Sequence, residues 1–312
     1  MSHLSVPSST DAVVGTASPA RARTGIAIAP QSKGQLIVSR VLRILAQLFL
    51  VVWALVVGVP LVWTLYSSLK TGEEILTQPW ALPAVPQWDN FRRAWVTAEF
   101  QNFFINTVIV VAIGLTITLI LSSLVAFVLS KFEFAGRNAI RILFIIVMTF
   151  PGVLALMPLF FMLQQLGMLN SLWGLAIVYG VGGLPFSVFF LAAFFSAIPG
   201  ELMDAARVDG CSYWSTFFRI MLPLAKPGLI SVGIFQFMGM WNQYILPLIM
   251  ISDKKNYVLG LGVARLAVDQ GYAGDWGAMF AGIVIAMLPV LIVYIIFQRR
   301  IQAGMIAGAV KN

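Results

Sequence analysis

The sequence predicts an all-α membrane protein with six transmembrane helices. Of its 312 residues, 60% are hydrophobic and only 10% are charged, whereas soluble domains contain about 45–50% apolar and about 25% charged residues. Six apolar stretches lack Asp, Glu, Lys, Arg and His, and each has the length of about 20 residues that a helix needs to cross a hydrocarbon layer of roughly 30 Å. A folded soluble chain could not cover so much apolar surface, so the composition excludes a soluble enzyme, a nucleic-acid-binding module and a disordered protein.

The six predicted spans differ in the residues that bend helices or let them pack. Proline occurs in every span except the second; it removes a backbone hydrogen bond and kinks a helix, although it is also common in membrane helices. In the second span Gly114, Thr118, Ser122 and Ala126 recur every four residues, which predicts a face that another helix approaches closely. The spans cover residues 44–66, 103–129, 142–163, 172–198, 229–251 and 278–297.

The basic residues predict the orientation of the spans. With a cytoplasmic N-terminus, 14 of the 20 Lys and Arg residues lie inside and 6 lie outside, and cytoplasmic loops of membrane proteins carry such an excess. We therefore expect both termini to be cytoplasmic, and we interpret the net charge of +8 as a consequence of this topology.

These spans divide the chain into four parts. A flexible cytoplasmic tail, residues 1–38, is rich in Ser, Ala, Pro and Thr; an N-terminal transit peptide is the alternative interpretation. The other parts are the first helix with its outer loop, a core of five helices that includes a loop over residues 199–227, and a cytoplasmic C-terminal tail, which cover residues 39–100, 101–297 and 298–312.

The spans lack the groups that would supply energy or catalysis. They contain no ionisable side chain, which argues against a proton-coupled carrier, although a Na⁺ site built from carbonyl and hydroxyl oxygens stays open. No Gly-Lys dipeptide occurs, so no phosphate-binding loop of that type is present. Cys211 and His3 cannot form a disulfide or a zinc site. We predict no catalytic residues, no metal site and no cofactor in this chain, so the energy for uphill transport would come from a partner.

The loop over residues 199–227 has strong local signals for two short helices. Residues 201–208 are good helix formers after a proline, with acidic residues in the first turn. Gly210 predicts a turn with positive φ, and Ser212 predicts the cap of a second helix. Pro223 and Pro227 are expected to end that helix. These signals alone indicate a pair of helices at the membrane interface.

The same loop resembles the EAA loop of permease subunits in binding-protein-dependent ABC importers. The resemblance rests on Asp204-Ala205-Ala206, on Gly210 and on Ile220-Met221-Leu222-Pro223, and the finer match is to MalG-type subunits of carbohydrate importers. Further motifs agree in order along residues 40–312: Asn106, Phe132–Arg137, Leu166–Asn170, Leu184-Pro185-Phe186, Ile198-Pro199, Trp241-Asn242, Asp275-Trp276-Gly277 and the ending from Gln298 to Lys311.

This resemblance implies a type I ABC importer permease fold and a loop that docks on an ATPase subunit. Asp204 stands where the family usually has Glu, so the geometry of its ion pair is expected to differ. The coupling residues implied are Glu201, Asp204, Ala205, Ala206, Asp209, Gly210 and Pro223.

The resemblance also implies contacts outside the coupling loop. Gly304, Ala307, Gly308 and Lys311 match a C-terminal stretch that contacts the ATPases in relatives; composition alone indicates only a flexible basic tail. In the outer loop over residues 252–277, Tyr272, Asp275 and Trp276 would meet an extracytoplasmic solute-binding protein. The implied partners are a MalF-type permease, a dimer of ATP-binding subunits that hold ATP and Mg, and the binding protein, in a bacterial plasma membrane with its lipid and without nucleic acid.

Polar side chains in the fifth span are candidates for a sugar path. Gln236 is followed by Trp241, Asn242, Gln243 and Tyr244, and aromatic faces with amides suit an uncharged sugar. The alternative is that the amides link helices and the aromatic rings fill packing space.

We therefore expect a permease subunit that imports a mono- or oligosaccharide by alternating access. A permease for another solute, such as glycerol phosphate, is an alternative within the same superfamily. A stand-alone channel or secondary carrier would leave the 199–227 loop without a role, and a membrane enzyme would lack catalytic residues.

Overall fold

The first helix spans a boundary between two compact units of the chain. The computed structural model describes residues 33–309, with side chains at 40–268 and 274–298, and all secondary structure in this part is helical. The first unit ends at Val57 and the second begins at Gly58. Helix α1, Lys33–Ser67, continues through Pro60, and its side chains at residues 40–57 are exposed. Residues 33–38, predicted as tail, are helical; the rest of that predicted tail lies outside the described residues.

The second unit contains the remaining helices, several of which are short. Two π-helical turns, Arg93–Thr97 and Phe217–Met221, and two 3₁₀ turns, Gly152–Ala155 and Lys254–Asn256, adjoin them. The α-helices are α2 Gly72–Thr77, α3 Asp89–Arg92, α4 Phe100–Lys131, α5 Arg137–Thr149, α6 Leu156–Gln165, α7 Leu172–Gly182, α8 Leu184–Ala197, α9 Glu201–Val208, α10 Tyr213–Thr216, α11 Leu222–Leu224, α12 Lys226–Trp241, α13 Ile245–Met250, α14 Leu259–Ala273 and α15 Trp276–Ala309.

Three helices are long and apolar enough to cross a membrane without a break. They are the Arg40–Ser67 part of α1, all of α4, and the Trp276–Gln298 part of α15. Three bent pairs raise the number to six if each pair is one span: α5 with Gly152–Gln165 at 94°, α7 with α8 at 42°, and Tyr213–Leu224 with α12 at 73°. The described residues therefore contain three to six candidate spans.

The predicted third span is wrong as a continuous helix. Helix α5 ends before Phe150, whose φ of −73° and ψ of 129° are extended. Pro151 follows, and a proline ring disfavours the α conformation in the residue before it. In contrast, α15 continues unbroken through Pro289. A proline alone therefore does not decide whether a helix breaks, since α5 ends before Pro151 and α15 continues through Pro289.

The predicted fifth span is also interrupted. Helix α12 ends at Trp241 and α13 begins at Ile245. The Gln243 side-chain oxygen accepts hydrogen bonds from the N–H groups of Tyr244 and Ile245 at 3.1 and 3.3 Å. It thereby satisfies donors at the start of α13 that would otherwise lack partners.

The small-residue face of α4 is buried, as predicted. Gly114, Thr118, Ser122 and Ala126 are all buried, and α4 packs along α7 and α8. The Thr118 hydroxyl donates to the Gly180 carbonyl at 2.8 Å. Such a short bond between helices requires the close approach that small side chains allow.

The second unit has two main apolar clusters, one toward each end of α4. The Phe103 cluster includes Phe100, Phe103, Leu175, Trp241 and Leu261. The Phe127 cluster consists of Ala126, Phe127, Leu191, Phe195, Met203, Phe217, Met221, Ala225 and Val232. The 199–227 loop thus packs at the C-terminal end of α4, and residues of the predicted outer loop pack at its N-terminal end.

Candidate functional site

The first helix of the 199–227 loop forms as the sequence predicts. Helix α9 covers Glu201–Val208, with Glu201 and Asp204 in its first turn. Met203 and Ala206 are buried, whereas Glu201, Asp204 and Ala205 are exposed. The acidic side chains therefore lie at the positive end of the helix, where its dipole stabilises them, and they face away from the protein.

The turn after α9 is a Schellman motif around Gly210. Gly210 has φ +79°, its N–H donates to the Arg207 carbonyl at 3.1 Å, and the N–H of Cys211 donates to the Ala206 carbonyl at 2.9 Å. This pattern satisfies the last carbonyls of the helix and requires a left-handed residue, which is usually glycine. Asp209 precedes it as the exposed C-cap residue. The positive-φ turn predicted at Gly210 is confirmed.

The second helix begins as predicted and continues through Pro223. The Ser212 hydroxyl accepts from the N–H of Ser215 at 3.2 Å and caps α10. A π-helical turn precedes Pro223 and α11 continues through it to Leu224, so the helix ends between Pro223 and Pro227. The N–H of Leu222 donates to the Phe217 carbonyl, five residues back. This wider turn relieves the clash between a proline ring and the preceding turn.

Aromatic side chains anchor this loop to the Phe127 cluster. The ring centroids of Phe127 and Phe217 are 5.1 Å apart, and those of Phe132 and Tyr213 are 5.2 Å apart. The Phe195 ring lies 6.4 Å from that of Phe217. These rings belong to the end of α4, to α8 and to the second loop helix. Because the rings are packed against one another, a displacement of the loop would also displace α4 and α8.

The loop also exposes large apolar side chains together with charged ones. Val208 is 87% exposed, Trp214 is 64% exposed, and Trp214 stacks on Phe218 with ring centroids 6.1 Å apart. The Arg207 guanidinium lies 5.4 Å from the centroid of the Tyr213 ring. Exposed apolar and aromatic side chains with charged residues close in the same loop are typical of a protein-interaction site.

Gln236 joins three helices near the middle of the unit. Its side-chain nitrogen donates to the Gly183 carbonyl at 3.1 Å and to the Ser187 hydroxyl at 3.0 Å. Ser187 in turn donates to the Gly183 carbonyl at 2.7 Å. With Thr118, these residues form a polar belt where α4, α8 and α12 meet the α7–α8 bend. The amide therefore links helices, which is the alternative the sequence left open.

The Trp241–Tyr244 segment divides between the interior and the surface. Trp241 is buried, donates from Nε1 to the Ala286 carbonyl at 3.0 Å and packs edge-on against Phe104. Asn242 and Tyr244 are exposed, and Gln243 caps α13. Within this segment the side chains of Asn242 and Tyr244 are the exposed ones, whereas Gln243 is partly exposed.

The predicted outer loop contains a helix and a network of asparagine contacts that the sequence did not reveal. Helix α14 occupies Leu259–Ala273. The Asn106 side chain donates to the carbonyls of Lys255 and Tyr257 at 2.8 and 2.9 Å. The Asn170 side-chain oxygen accepts from the N–H of Asp253 at 2.9 Å. Both asparagines lie in motifs that carry the family resemblance, which was the only sequence signal for them.

Asp275 and Trp276 begin α15 next to a polar cavity. Asp275 caps α15 by accepting from the N–H of Ala278 at 3.1 Å and pairs with Arg93 at 3.1 Å. Trp276 is half-buried and packs with Ile75. The cavity, of about 390 Å³, is lined in part by Arg93, Asp275 and Lys254. The side chain of Tyr272 lies outside the described residues.

The C-terminal candidates fall at the edge of the described chain. Gly304, Ala307 and Gly308 lie within α15, which extends to Ala309, and their side chains are outside the described set. Lys311 lies outside the described residues. Among the side chains described at residues 40–268 and 274–298, no group of three His, Cys, Asp or Glu residues is placed to hold a metal ion.

The fold and these surfaces define a membrane-embedded transport subunit. Residues 118–307 match the family described as "Binding-protein-dependent transport system inner membrane component". The chain belongs to this family, which confirms the resemblance of its 199–227 loop.

Relatives and solved structures agree with this assignment. The chain is 43% identical over 262 residues to the diacetylchitobiose uptake system permease protein NgcG of Streptomyces coelicolor, covering 84% of this chain and 87% of that protein. It is 32% identical to the arabinooligosaccharides transport system permease protein AraQ of Bacillus subtilis, covering 87% and 97% of the two chains. The fold matches a chain in the crystal structure of a bacterial ABC transporter that imports the polysaccharide alginate, with a TM-score of 0.75 and 22% identity over 86% of this chain and 98% of that one.

Proposed function

We propose that this chain is a permease subunit of an ATP-driven importer that carries a mono- or oligosaccharide across a bacterial plasma membrane. The observation that carries the proposal is the exposed loop surface around Gly210 in a member of the permease family. The substrate class rests on relatives whose names refer to diacetylchitobiose and arabinooligosaccharides. The chain would use no cofactor of its own, because ATP and Mg would bind to the partner ATPase subunits.

The exposed surface of the 199–227 loop, here called the coupling surface, would dock on the ATPase through the predicted coupling residues. These are Glu201, Asp204, Ala205, Ala206, Asp209, Gly210 and Pro223. Glu201, Asp204 and Asp209 are exposed beside the apolar side chains of Val208 and Trp214. This combination would provide ion pairs around an apolar centre, as protein interfaces commonly do. The C-terminal residues Gly304, Ala307, Gly308 and Lys311 would form the second ATPase contact.

The outer loop and the interrupted fifth span would serve the solute. Tyr272, Asp275 and Trp276 are the proposed contacts for the extracytoplasmic binding protein. Asn242 and Tyr244 are the proposed path residues at the surface, where a homologous MalF-type permease would complete the path; Gln236, Trp241 and Gln243 would support it from within the helices.

The proposed topology has six spans with both termini in the cytoplasm. It is supported by the three unbroken candidate spans, by counting α5 with Gly152–Gln165 and α7 with α8 as one span each, and by α12 as the fifth span, with Tyr213–Leu224 left in the cytoplasmic loop. The 14 to 6 distribution of basic residues supports the orientation. The test is labelling with a membrane-impermeant maleimide in a Cys211→Ser background. With Trp80→Cys and Val208→Cys, both at exposed positions, only the cysteine at 80 should be labelled from outside. Labelling at 208 in intact cells would contradict the topology.

The function is tested by uptake into liposomes that contain both permeases, the ATPase dimer and the binding protein. We expect oligosaccharide uptake that requires ATP and every component. Uptake without the ATPase subunits would overturn the proposal in favour of a channel or carrier. Uptake of glycerol phosphate but not of any sugar would retain the importer and overturn the carbohydrate assignment.

A further inference from the structure

An apolar groove between α5 and α8 has a group of cationic side chains at one end. The groove encloses a cavity of about 320 Å³. Phe144 and Ile145 of α5 form one side, and Val188, Phe189 and Ala193 of α8 lie opposite. Arg141 lines its end, next to the C-terminus of α4.

Backbone carbonyls hold the cationic side chains in place. Arg141 donates from Nη2 to the Leu129 carbonyl at 2.6 Å, and Arg137 donates from Nε to the same oxygen at 2.9 Å. The Lys131 ammonium donates to the Ile198 carbonyl, just beyond α8. The last carbonyls of a helix carry partial negative charge, so they attract these cations without neutralising them.

Carboxylates contribute little to this group. In the described part of the chain, Arg141 and Lys131 form no ion pair, and Arg137 reaches only Glu133, at 3.9 Å. The Glu133 side chain is 95% exposed, and an exposed ion pair is weak. Arg141 at the end of the groove and Arg137, which shares the Leu129 carbonyl with it, therefore have one exposed acid between them, which leaves a positive site at the mouth of an apolar groove.

We propose that this groove binds an anionic glycerophospholipid. One acyl chain would lie between α5 and α8, and the phosphate headgroup would contact Arg141 and Arg137. An uncharged lipid would leave these cations without a counter-charge, and inorganic phosphate would leave the groove empty. The inference requires only that the chain is embedded in a membrane, so it is independent of the cargo.

The test measures lipid retained by the assembled transporter in nanodiscs of mixed phosphatidylglycerol and phosphatidylcholine. After extraction, native mass spectrometry should show preferential retention of phosphatidylglycerol. Arg141→Gln should lower this preference about fivefold, the effect of one basic residue near an anionic membrane surface. Arg141→Lys should retain most of it. Lys226→Gln removes one exposed charge outside the groove and should leave the preference unchanged.

A second variant tests the groove without changing charge. Ala193→Phe would fill the cavity and should reduce the retention of phosphatidylglycerol while leaving thermal unfolding of the complex within a few degrees. Equal preference in the wild type and Arg141→Gln would overturn the proposal, as would unchanged retention in Ala193→Phe. Cross-linking of Ala193→Cys to the partner permease in the assembled complex would also overturn it, since a protein would then cover the groove. Oligosaccharide uptake is measured on the same samples, so a failure of lipid binding is distinguishable from a failure of the transport function.

Discussion

Gly210 offers a test of the coupling surface in which backbone strain is isolated from steric clash. Its φ is +79°, and a Cβ built on it would meet no atom within 4 Å. A substitution therefore adds no clash in the loop, but an L-residue in the left-handed conformation costs roughly 1–2 kcal/mol. That cost corresponds to about a 5- to 30-fold shift between the observed turn and alternative turns.

The chain provides a matched control at the other end of α9. Gly200 has φ −63° and ψ −31°, and a Cβ there would also meet nothing within 4 Å. Gly200→Ala should therefore behave like the wild type. Gly210→Ala should lower ATP hydrolysis stimulated by the reconstituted permeases by about 5- to 30-fold when the ATPase is limiting. Gly210→Asn should fall between them, because asparagine tolerates the left-handed conformation better than alanine does.

The order of the variants decides whether the reasoning holds. Equal stimulation by Gly210→Ala and Gly200→Ala would show that the geometry of this turn has no part in docking. A larger loss with Gly210→Asn than with Gly210→Ala would contradict backbone strain as the cause. Co-purification of the ATPase with each variant separates loss of docking from loss of signalling after docking.

Three further predictions concern helix packing and the cap of α2. Gly180→Val should lower the free energy of unfolding by about 1–3 kcal/mol, because a Cβ there would lie 2.7 Å from a side-chain carbon of α4. The control in the same thermal unfolding measurement is Gly182→Ala, since a Cβ at Gly182 meets no atom within 4 Å. Gln236→Leu should cost about 0.6–1.7 kcal/mol, the range for hydrogen bonds between membrane helices, and an unchanged unfolding temperature would contradict its role as a link. Hydrogen bonds to the carboxylate of Glu74, first from the backbone N–H of Thr71, lower its pKa. The cap therefore stabilises the fold at neutral pH and is lost as the pH falls below the ordinary value of about 4.3. The protection of the Thr71 amide against hydrogen exchange, relative to its intrinsic rate at each pH, should fall there in the wild type but not in Glu74→Gln, whose cap is already impaired at neutral pH.

Local signals predicted the 199–227 loop better than the spans. The bounds of α9, the positive φ of Gly210 and the cap at Ser212 each depend on one or two neighbouring residues, so the sequence contains what is needed. The end of the second loop helix cannot be predicted from neighbouring residues in this way. Pro223 is accommodated by a π-helical turn, and no local pattern indicates where a helix widens.

Helix breaks depend on neighbours that sequence patterns do not specify. Pro60, Pro151 and Pro289 look alike in apolar stretches, yet only Pro151 follows a helix end. Breaks at membrane depth require other groups to satisfy the freed backbone. The role of Gln236 was ambiguous for the same reason, since a path residue and a helix link are both amides, and only the positions of Gly183 and Ser187 distinguish them.

The packing of the loop explains how energy could reach spans that contain no ionisable side chain. The Phe127 cluster joins Phe217 of the loop to α4 and α8, so a force on the exposed surface acts on both helices at their near ends. The polar belt of Thr118, Gly183, Ser187 and Gln236 lies where α7 and α8 meet at their 42° bend. Hydrogen bonds resist separation of the helices there, while the aromatic rings of the Phe127 cluster hold the loop by apolar packing. A displaced loop would therefore rotate α8, the second helix of the bent α7–α8 pair, about the polar belt more readily than it would separate α8 from its neighbours. For that reason Gly210→Ala should impair transport by weakening the loop surface, whereas Gln236→Leu should lower stability while leaving ATPase docking intact.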